Sequence, residues 1–376
     1  MIVYEFMRTL LAAVPFCWIS TLGFAAEPKP EIVSLLTLVG EQNLIENPAA
    51  ALTGPVESML WEQIRMDRSS SGADQEVVLH SRLTKYDTAN RAIEITERQY
   101  GGETRATNSY ENSLLVGTRG RSFNADGKQA GEEFWQTWKY DDAGRVLETK
   151  RGRGDKIENH IVSSYDGSGR LRQREVRQGV ADAIVFTELY VYSGKPETVQ
   201  RRILAAQTGI ARDAEKLRLN QDGTVAELWD TADGYHVRWK YDDRNRIIEQ
   251  LTDPYTPPAG CDPCPLPGAI RTLYEERTRV QTFFEPGGKS VLRRITEFEK
   301  DGSIASIRFE APSGANPADA PDLNRVVSAI VPQGGEQHVV TIWDDHGNWA
   351  EKKVILLPGT GAPITHFIYR RKIIYR

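Results

Sequence analysis

A short motif recurs through this chain and limits what it can fold into. It reads Tyr140-Asp141-Asp142-Ala143-Gly144-Arg145-Val146, then Tyr165-Asp166-Gly167-Ser168-Gly169-Arg170-Leu171, then Tyr241-Asp242-Asp243-Arg244-Asn245-Arg246-Ile247. An earlier copy is Tyr86-Asp87-Thr88-Ala89-Asn90-Arg91. Weaker copies keep the register at Phe123–Lys128, Leu219–Thr224, Phe284–Lys289, Phe298–Ser303 and Trp343–Asn348, and Tyr190–Lys195 is a degenerate one. From Tyr140 to Tyr241 the copies start 22 to 29 residues apart. An apolar residue, usually aromatic, ends a strand. Asp or Asn follows and can accept from backbone N–H groups in a turn. Four positions after the aromatic stands Gly or Asn, the residues that enter the left-handed region at least cost. These turn positions are Asn90, Gly127, Gly144, Gly169, Gly223, Asn245, Gly288, Gly302 and Gly347. The pattern fits a type I turn followed by a left-handed residue and a bulge, so each unit is one β-hairpin.

The segments between the turns read as strands. Trp138-Lys139-Tyr140 and Trp239-Lys240-Tyr241 place the aromatics on one face and Lys on the other. The expected fold is all-β: antiparallel hairpin repeats stacked into a curved or partly closed sheet, with short N-terminal helices. Helix signals fall at Pro30–Asn47, Val56–Asp67 and Asp319–Val331. The expected organisation is a signal peptide over 1–25, an N-terminal segment with short helices over 26–79, and a hairpin domain over 80–376. Two insertions break the period. One, 253–268, is proline-rich, and the other, 311–322, is rich in turn-forming residues.

The motif Tyr-Asp-x-x-Gly-Arg, at Tyr140 and Tyr165 and with Asn for Gly at Tyr86 and Tyr241, resembles the YD repeats of bacterial RHS proteins and animal teneurins. Asp345-His346-Gly347-Asn348-Trp349 is similar to a variant found in small secreted bacterial YD-repeat proteins. The resemblance covers roughly residues 80–376. It implies a long coiling sheet, which in some members forms a hollow shell around a toxin. This chain is far shorter than a shell-forming member and lacks the family's proline- and DPxG-containing boundary to a toxin domain. Architecture, rather than encapsulation, is what the resemblance implies.

The N-terminus reads as an address. Arg8 precedes the apolar run Thr9–Ile19, and Gly23-Phe24-Ala25 offers small residues around a cleavage point, so the mature chain is expected to begin near Ala26. The run is short and contains Pro15, which favours cleavage over anchoring. Beyond it no segment is long and apolar enough to span a bilayer as a helix. Export makes Cys261-Asp262-Pro263-Cys264 most simply a disulfide clipping a protruding loop. The surrounding prolines forbid the helix that a thioredoxin-type redox pair requires. No second CxxC or paired His follows at zinc-ligand spacing. A net charge of −5 with dispersed Lys and Arg argues against nucleic-acid binding through a basic patch.

Candidate chemistry is sparse. Ser122-x-Asn124-x-Asp126-Gly127 with Glu133 mimics a calcium loop of the EF-hand type. The first position is Ser rather than Asp, however, and Gly127 is already explained by the hairpin register. His80, His160, His236, His338, His346 and His366 show no paired ligand spacing. Ser168 stands in a repeat turn, not in a nucleophile elbow. Asp141-Asp142, Asp242-Asp243 and Asp344-Asp345 imitate paired catalytic carboxylates, but their matching turn positions assign them to turn chemistry. The repeated aromatics read as a buried cross-strand ladder rather than a sugar-stacking row.

The expected protein is therefore non-enzymatic and exported, periplasmic or extracellular. It carries no cofactor or metal and binds a protein or glycan at the envelope along its sheet and loops. The alternatives are a shell or scaffold segment that associates through sheet edges and a glycan hydrolase with carboxylates gathered from several strands.

Overall fold

The computed structural model describes residues 52–376 apart from 69–73, 180–181, 195–196, 231–234, 254–267, 285–287, 289, 301, 311–335 and 358–361. The leader, the helices expected at Pro30–Asn47 and Asp319–Val331, and the Cys261/Cys264 pair lie outside the described residues.

The described chain is a single 22-stranded sheet. It opens with β1 (Val56–Arg68), β2 (Asp74–Tyr86), β3 (Ala92–Gln99), β4 (Gly102–Glu111), β5 (Leu114–Phe123) and β6 (Phe134–Tyr140). Next come β7 (Val146–Arg153), β8 (Lys156–Tyr165), β9 (Leu171–Gln178), β10 (Ala183–Ser193), β11 (Thr198–Ala205) and β12 (Ala211–Leu219). It continues through β13 (Val225–Asp230), β14 (Tyr235–Tyr241), β15 (Ile247–Asp253), β16 (Ala269–Tyr274) and β17 (Thr278–Phe284). The last strands are β18 (Ser290–Phe298), β19 (Ile304–Glu310), β20 (Glu336–Trp343), β21 (Trp349–Leu357) and β22 (Ile364–Tyr375). Each strand pairs antiparallel with the next, and β22 pairs antiparallel with β1, from Val56↔Tyr375 to Arg65↔Phe367. The sheet is a closed up-and-down barrel, not a curved or partly open one. No helix is present among the described residues.

Val56–Asp67 is a strand, not the expected helix, and β1 is the strand that closes the barrel. The buried side chains of β1 are Val56, Met59, Trp61 and Ile64, which imitate a helical spacing. A register shift against β22 leaves Glu57 as an extra residue on β1 and turns the spacing of two between Val56 and Met59 into three. Against β2, the shift between Gln63 and Ile64 leaves its extra residue, Leu79, on β2.

One face of the sheet is the more buried. It carries Trp138, Trp239 and Phe283, and around the seam a cluster of Met59, Trp61, Ile307, Val339, Trp349, Val354 and Tyr369. A second cluster joins Leu219, Val225, Leu228, Val237 and Trp239. The opposite face carries cross-strand ion pairs such as Lys139–Glu148 (2.6 Å) and Lys240–Glu249 (2.5 Å). This is the Trp-Lys-Tyr alternation read from sequence, with side chains one residue apart standing on opposite faces.

Candidate functional site

Antiparallel order gives the barrel two rims. Connections from an even strand to the next odd strand lie at one rim, and the others lie at the opposite rim. All nine expected turn residues have positive φ, from 57° at Asn90 and Asn245 to 87° at Gly223. Seven of them lie at the first rim. Gly127 and Gly288 follow β5 and β17, so they lie at the other.

The first rim is locked by its own repeat. In the Tyr140 copy, Asp141 Oδ1 accepts from the N–H groups of Ala143 (3.0 Å) and Arg145 (2.9 Å), and its Oδ2 accepts from the Arg145 guanidinium (2.7 Å). Asp87, Asp166 and Asp242 repeat the pattern. The guanidinium then lies over the tyrosine of a later strand. Arg91 covers Tyr110 (4.8 Å), Arg145 covers Tyr165 (4.6 Å), Arg170 covers Tyr192 (4.3 Å) and Arg246 covers Tyr274 (4.2 Å). Those hydroxyls donate to the carbonyls of Ala92, Val146, Leu171 and Ile247, the first residue of each return strand. Tyr140 and Tyr241 donate likewise to Leu115 and Val225. The expected aromatic ladder is thus a ladder of alternating Arg and Tyr, in which each hairpin holds the next. Burial raises the phenols, Tyr241 to about 12. The Arg145 backbone N–H holds Asp141 below the ordinary carboxylate range, against burial, and the Arg145 guanidinium assists.

The second rim is different. The strand ends flanking the two insertions lie here, the end of β15 and start of β16 and the end of β19 and start of β20, together with the Asn124–Glu133 segment and the tight turn Tyr100-Gly101. Between the β1–β2 hairpin and the β5–β6 connection lies a cleft of about 620 Å³. The Tyr100-Gly101 turn is part of its lining. On one side β2 runs on past β3, with Asp74–Val78 paired to β1. On the other side the chain turns at Asn124–Gly127, where the Gly127 N–H donates to the Asn124 carbonyl (2.9 Å). Glu103 is held by Arg98 (2.5 Å) and by Arg105, which also covers the Phe123 ring.

The other candidates are absorbed locally. In the calcium-like spacing, Asp126 pairs with Lys128 (3.1 Å), Glu133 with Arg121 (3.0 Å), and Ser122 lies 3.3 Å from the Thr104 hydroxyl. The first Asp of each doublet clasps its turn, while Asp142, Asp243 and Asp345 are exposed. The Ser168 N–H donates to Asp166 (2.9 Å). The histidines stay apart. His80 contacts Glu97 (2.7 Å), His236 stacks on Trp229 (4.7 Å), His338 meets Glu336 (3.1 Å), His346 stacks on Tyr375 (3.7 Å) and His366 sits edge-on to Phe367 (4.1 Å). His160 is buried between Asp182 (2.6 Å) and Glu148 (3.0 Å). Burial pushes Glu148 up, but Lys139 and Lys150 outweigh it and hold the carboxyl at about 2.

Sequence reasoning missed two polar assemblies. One is this Glu148–His160–Asp182 group. The other is a relay on the more buried face, in which Arg174 binds Glu188 (3.1 Å), Glu188 binds Arg201 (2.7 Å) and Arg201 binds Glu215 (2.8 Å). No local pattern signals them, because their members meet only through strand register.

No protein-family model and no curated protein matches this chain. Solved structures give loose overlaps. One is the TcdB2-TccC3-TEV crystal structure, at 11% identity and a TM-score of 0.22, with 78% of this chain and 19% of that chain covered. Another is a porin-like protein from Bacteroides uniformis ATCC 8492, at 9% identity and a TM-score of 0.25, with 86% of this chain and 99% of that chain covered. This chain thus spans about a fifth of the toxin-complex chain and nearly the whole length of the porin-like one. Overlaps this loose support no assignment of activity.

Proposed function

We propose that this is an exported, non-enzymatic β-barrel protein of YD-repeat type. In this reading it binds a protein or a glycan at the cell envelope or outside the cell, through the rim that carries the insertions. The observation behind this is the division of labour between the rims. At the first rim the Asp, Arg and Tyr of each repeat are spent on one another. At the second rim lie the strand ends from which both insertions depart, and the polar cleft opens at the same end of the barrel. A stiff, proline-rich loop loses less entropy on binding than a flexible one.

Two observations weigh against other readings. Closure pairs β1 with both β2 and β22, which removes the free edges that a scaffold associating edge-to-edge would use. A lipid-facing barrel needs an outward apolar band. Here Arg174 and Glu175, adjacent in β9, put charge on both faces of the sheet. No helix among the described residues is long and apolar enough to cross a membrane. The leader supplies the reading of export, and with it a Cys261–Cys264 disulfide. Thiol labelling of the native protein is expected to find neither cysteine free.

The experiment replaces 253–268 and 311–322 in turn with short Gly-Ser bridges and assays binding to envelope extract. Loss of binding by a folded variant supports the reading. Binding equal to the parent by both folded variants refutes it and moves the contact to the sheet.

A further inference from the structure

The ladder takes up six tyrosines of the barrel, but not Tyr100. It sits at the first position of the β3–β4 turn, with φ +50° followed by Gly101 at +78°. Two successive left-handed residues define a type I′ hairpin turn, whose first position suits Asn or Asp. The other non-glycine residues with positive φ are Asn90, Asn112, Ser113, Asp182 and Asn245, all small and polar. A bulky ring there is an outlier that local folding does not request. The Tyr100 side chain gains nothing from packing either. The residue is 68% exposed, and its hydroxyl and ring have no hydrogen-bond or ring partner among the described residues. The turn thus carries a strained, exposed aromatic in the lining of the cleft.

The walls indicate what such a ring would meet. Arg98 and Arg105 converge on Glu103, and with Glu62 also in the lining its two guanidiniums and two carboxylates balance. His80 is engaged by Glu97. The lining thus carries no net charge that would select an anion or a cation. What remains is an exposed aromatic with neutral polar groups from Gln99, Ser81 and Asn124 in the lining. An aromatic platform ringed by amide and hydroxyl groups suits a ligand with an apolar face and many hydroxyls.

We propose that the cleft beside Tyr100 binds an uncharged oligosaccharide, with one sugar ring stacked on the Tyr100 ring and the hydroxyls met by Gln99, Ser81 and Asn124. This rests on the reading of the second rim as the recognition rim, and it names the ligand class and the residue that grips it.

The test is titration calorimetry of the full chain with chitotetraose, cellohexaose, maltohexaose and mannotetraose. Three proteins are compared: the parent, Tyr100→Phe and Tyr100→Asn. At least one sugar is expected to bind the parent. Tyr100→Phe keeps the ring and is expected to bind within about threefold of it. Tyr100→Asn suits the turn and removes the ring. It is expected to weaken binding about tenfold while its melting temperature is unchanged or raised. Rising stability with falling affinity is not what a purely structural role yields. Absence of binding by every sugar at millimolar concentration overturns the proposal, as does parental affinity in Tyr100→Asn. If the sugars fail while the insertion-bridged variants lose envelope binding, the cleft is wrong and the rim reading stands. If Tyr100-dependent sugar binding persists while both bridged variants bind extract normally, the insertions are excluded and the cleft stands alone.

Discussion

At the residue scale, the turn positions were fully legible and their partners were not. Gly144 could be read as left-handed because nothing but Gly or Asn recurs at its place, and its φ is +77°. A Cβ added there meets nothing within 4 Å, so the cost of a side chain is purely conformational. Gly144→Val is therefore expected to destabilise by roughly 1–3 kcal/mol. Gly144→Asn is expected to cost much less, since Asn245 holds the matching position at φ +57°. Urea unfolding of the two variants checks this. Equal losses would show that the side-chain space, not the backbone, is limiting. Arg145 was legible only as a charge following the turn. Its clasp on Asp141 is local to the motif, but its cover over Tyr165 depends on a residue 20 positions later and leaves no local trace.

At the element scale, the hairpin was legible and its direction was not. Phe123–Lys128 and Phe284–Lys289 match the motif, yet they lie at the second rim. A turn motif records backbone shape, and only the parity of the strand assigns a rim. The helix expected at Val56–Asp67 failed for a related reason, since the bulge at Glu57 disguises the period at the start of β1. The coupling between hairpins is itself testable. In a double-mutant cycle, Arg145→Ala and Tyr165→Leu are expected to couple by about 0.5–1 kcal/mol, the usual size of a half-exposed cation–π contact. Additive effects would mean that the stacking contributes nothing. The ladder also sets the pH limits. Asp141 titrates below its ordinary value in the fold, so its contribution is complete above the ordinary carboxylate range. It is lost as pH falls through the depressed value, because the unfolded chain takes up the proton first. Tyr241 is raised to about 12, so its contribution is complete below its ordinary 10.0 and is lost between the two as pH rises. Melting temperatures across the acid range are expected to fall less steeply for Asp141→Asn than for the parent. A parallel profile would remove Asp141 from the account.

At the scale of the whole molecule, closure depends on contacts between the two ends of the described chain, and these lie at the ladder rim. Two hairpin asparagines hold the segment that enters β1. Asn90 Oδ1 accepts from the Val56 N–H (3.1 Å), and its Nδ2 donates to the Gly54 carbonyl (2.7 Å). Asn348, only 3% exposed, accepts from the Thr53 N–H (2.7 Å) and donates to the Thr53 carbonyl (2.8 Å) and the Tyr375 hydroxyl (2.6 Å). The Arg376 guanidinium caps the carbonyls of Tyr86 (2.7 Å) and Asp87 (2.5 Å). Asn stands at position 90 not merely as a substitute for Gly but because its amide ties the β2–β3 turn to the segment that enters β1. Asn348→Ala strands a buried N–H and a carbonyl, and is expected to cost about 1–3 kcal/mol. The loss should be local. Hydrogen exchange is expected to quicken in β1 and β22 well before β8 and β9, which lie far around the ring and keep their own Arg–Tyr clasps. Uniform loss of protection would mean that the barrel unfolds as one unit and that closure is no weaker than any other pairing. Loss confined to the seam would make β1, the strand whose bulged start reads as a helix in the sequence, the element whose docking completes the barrel.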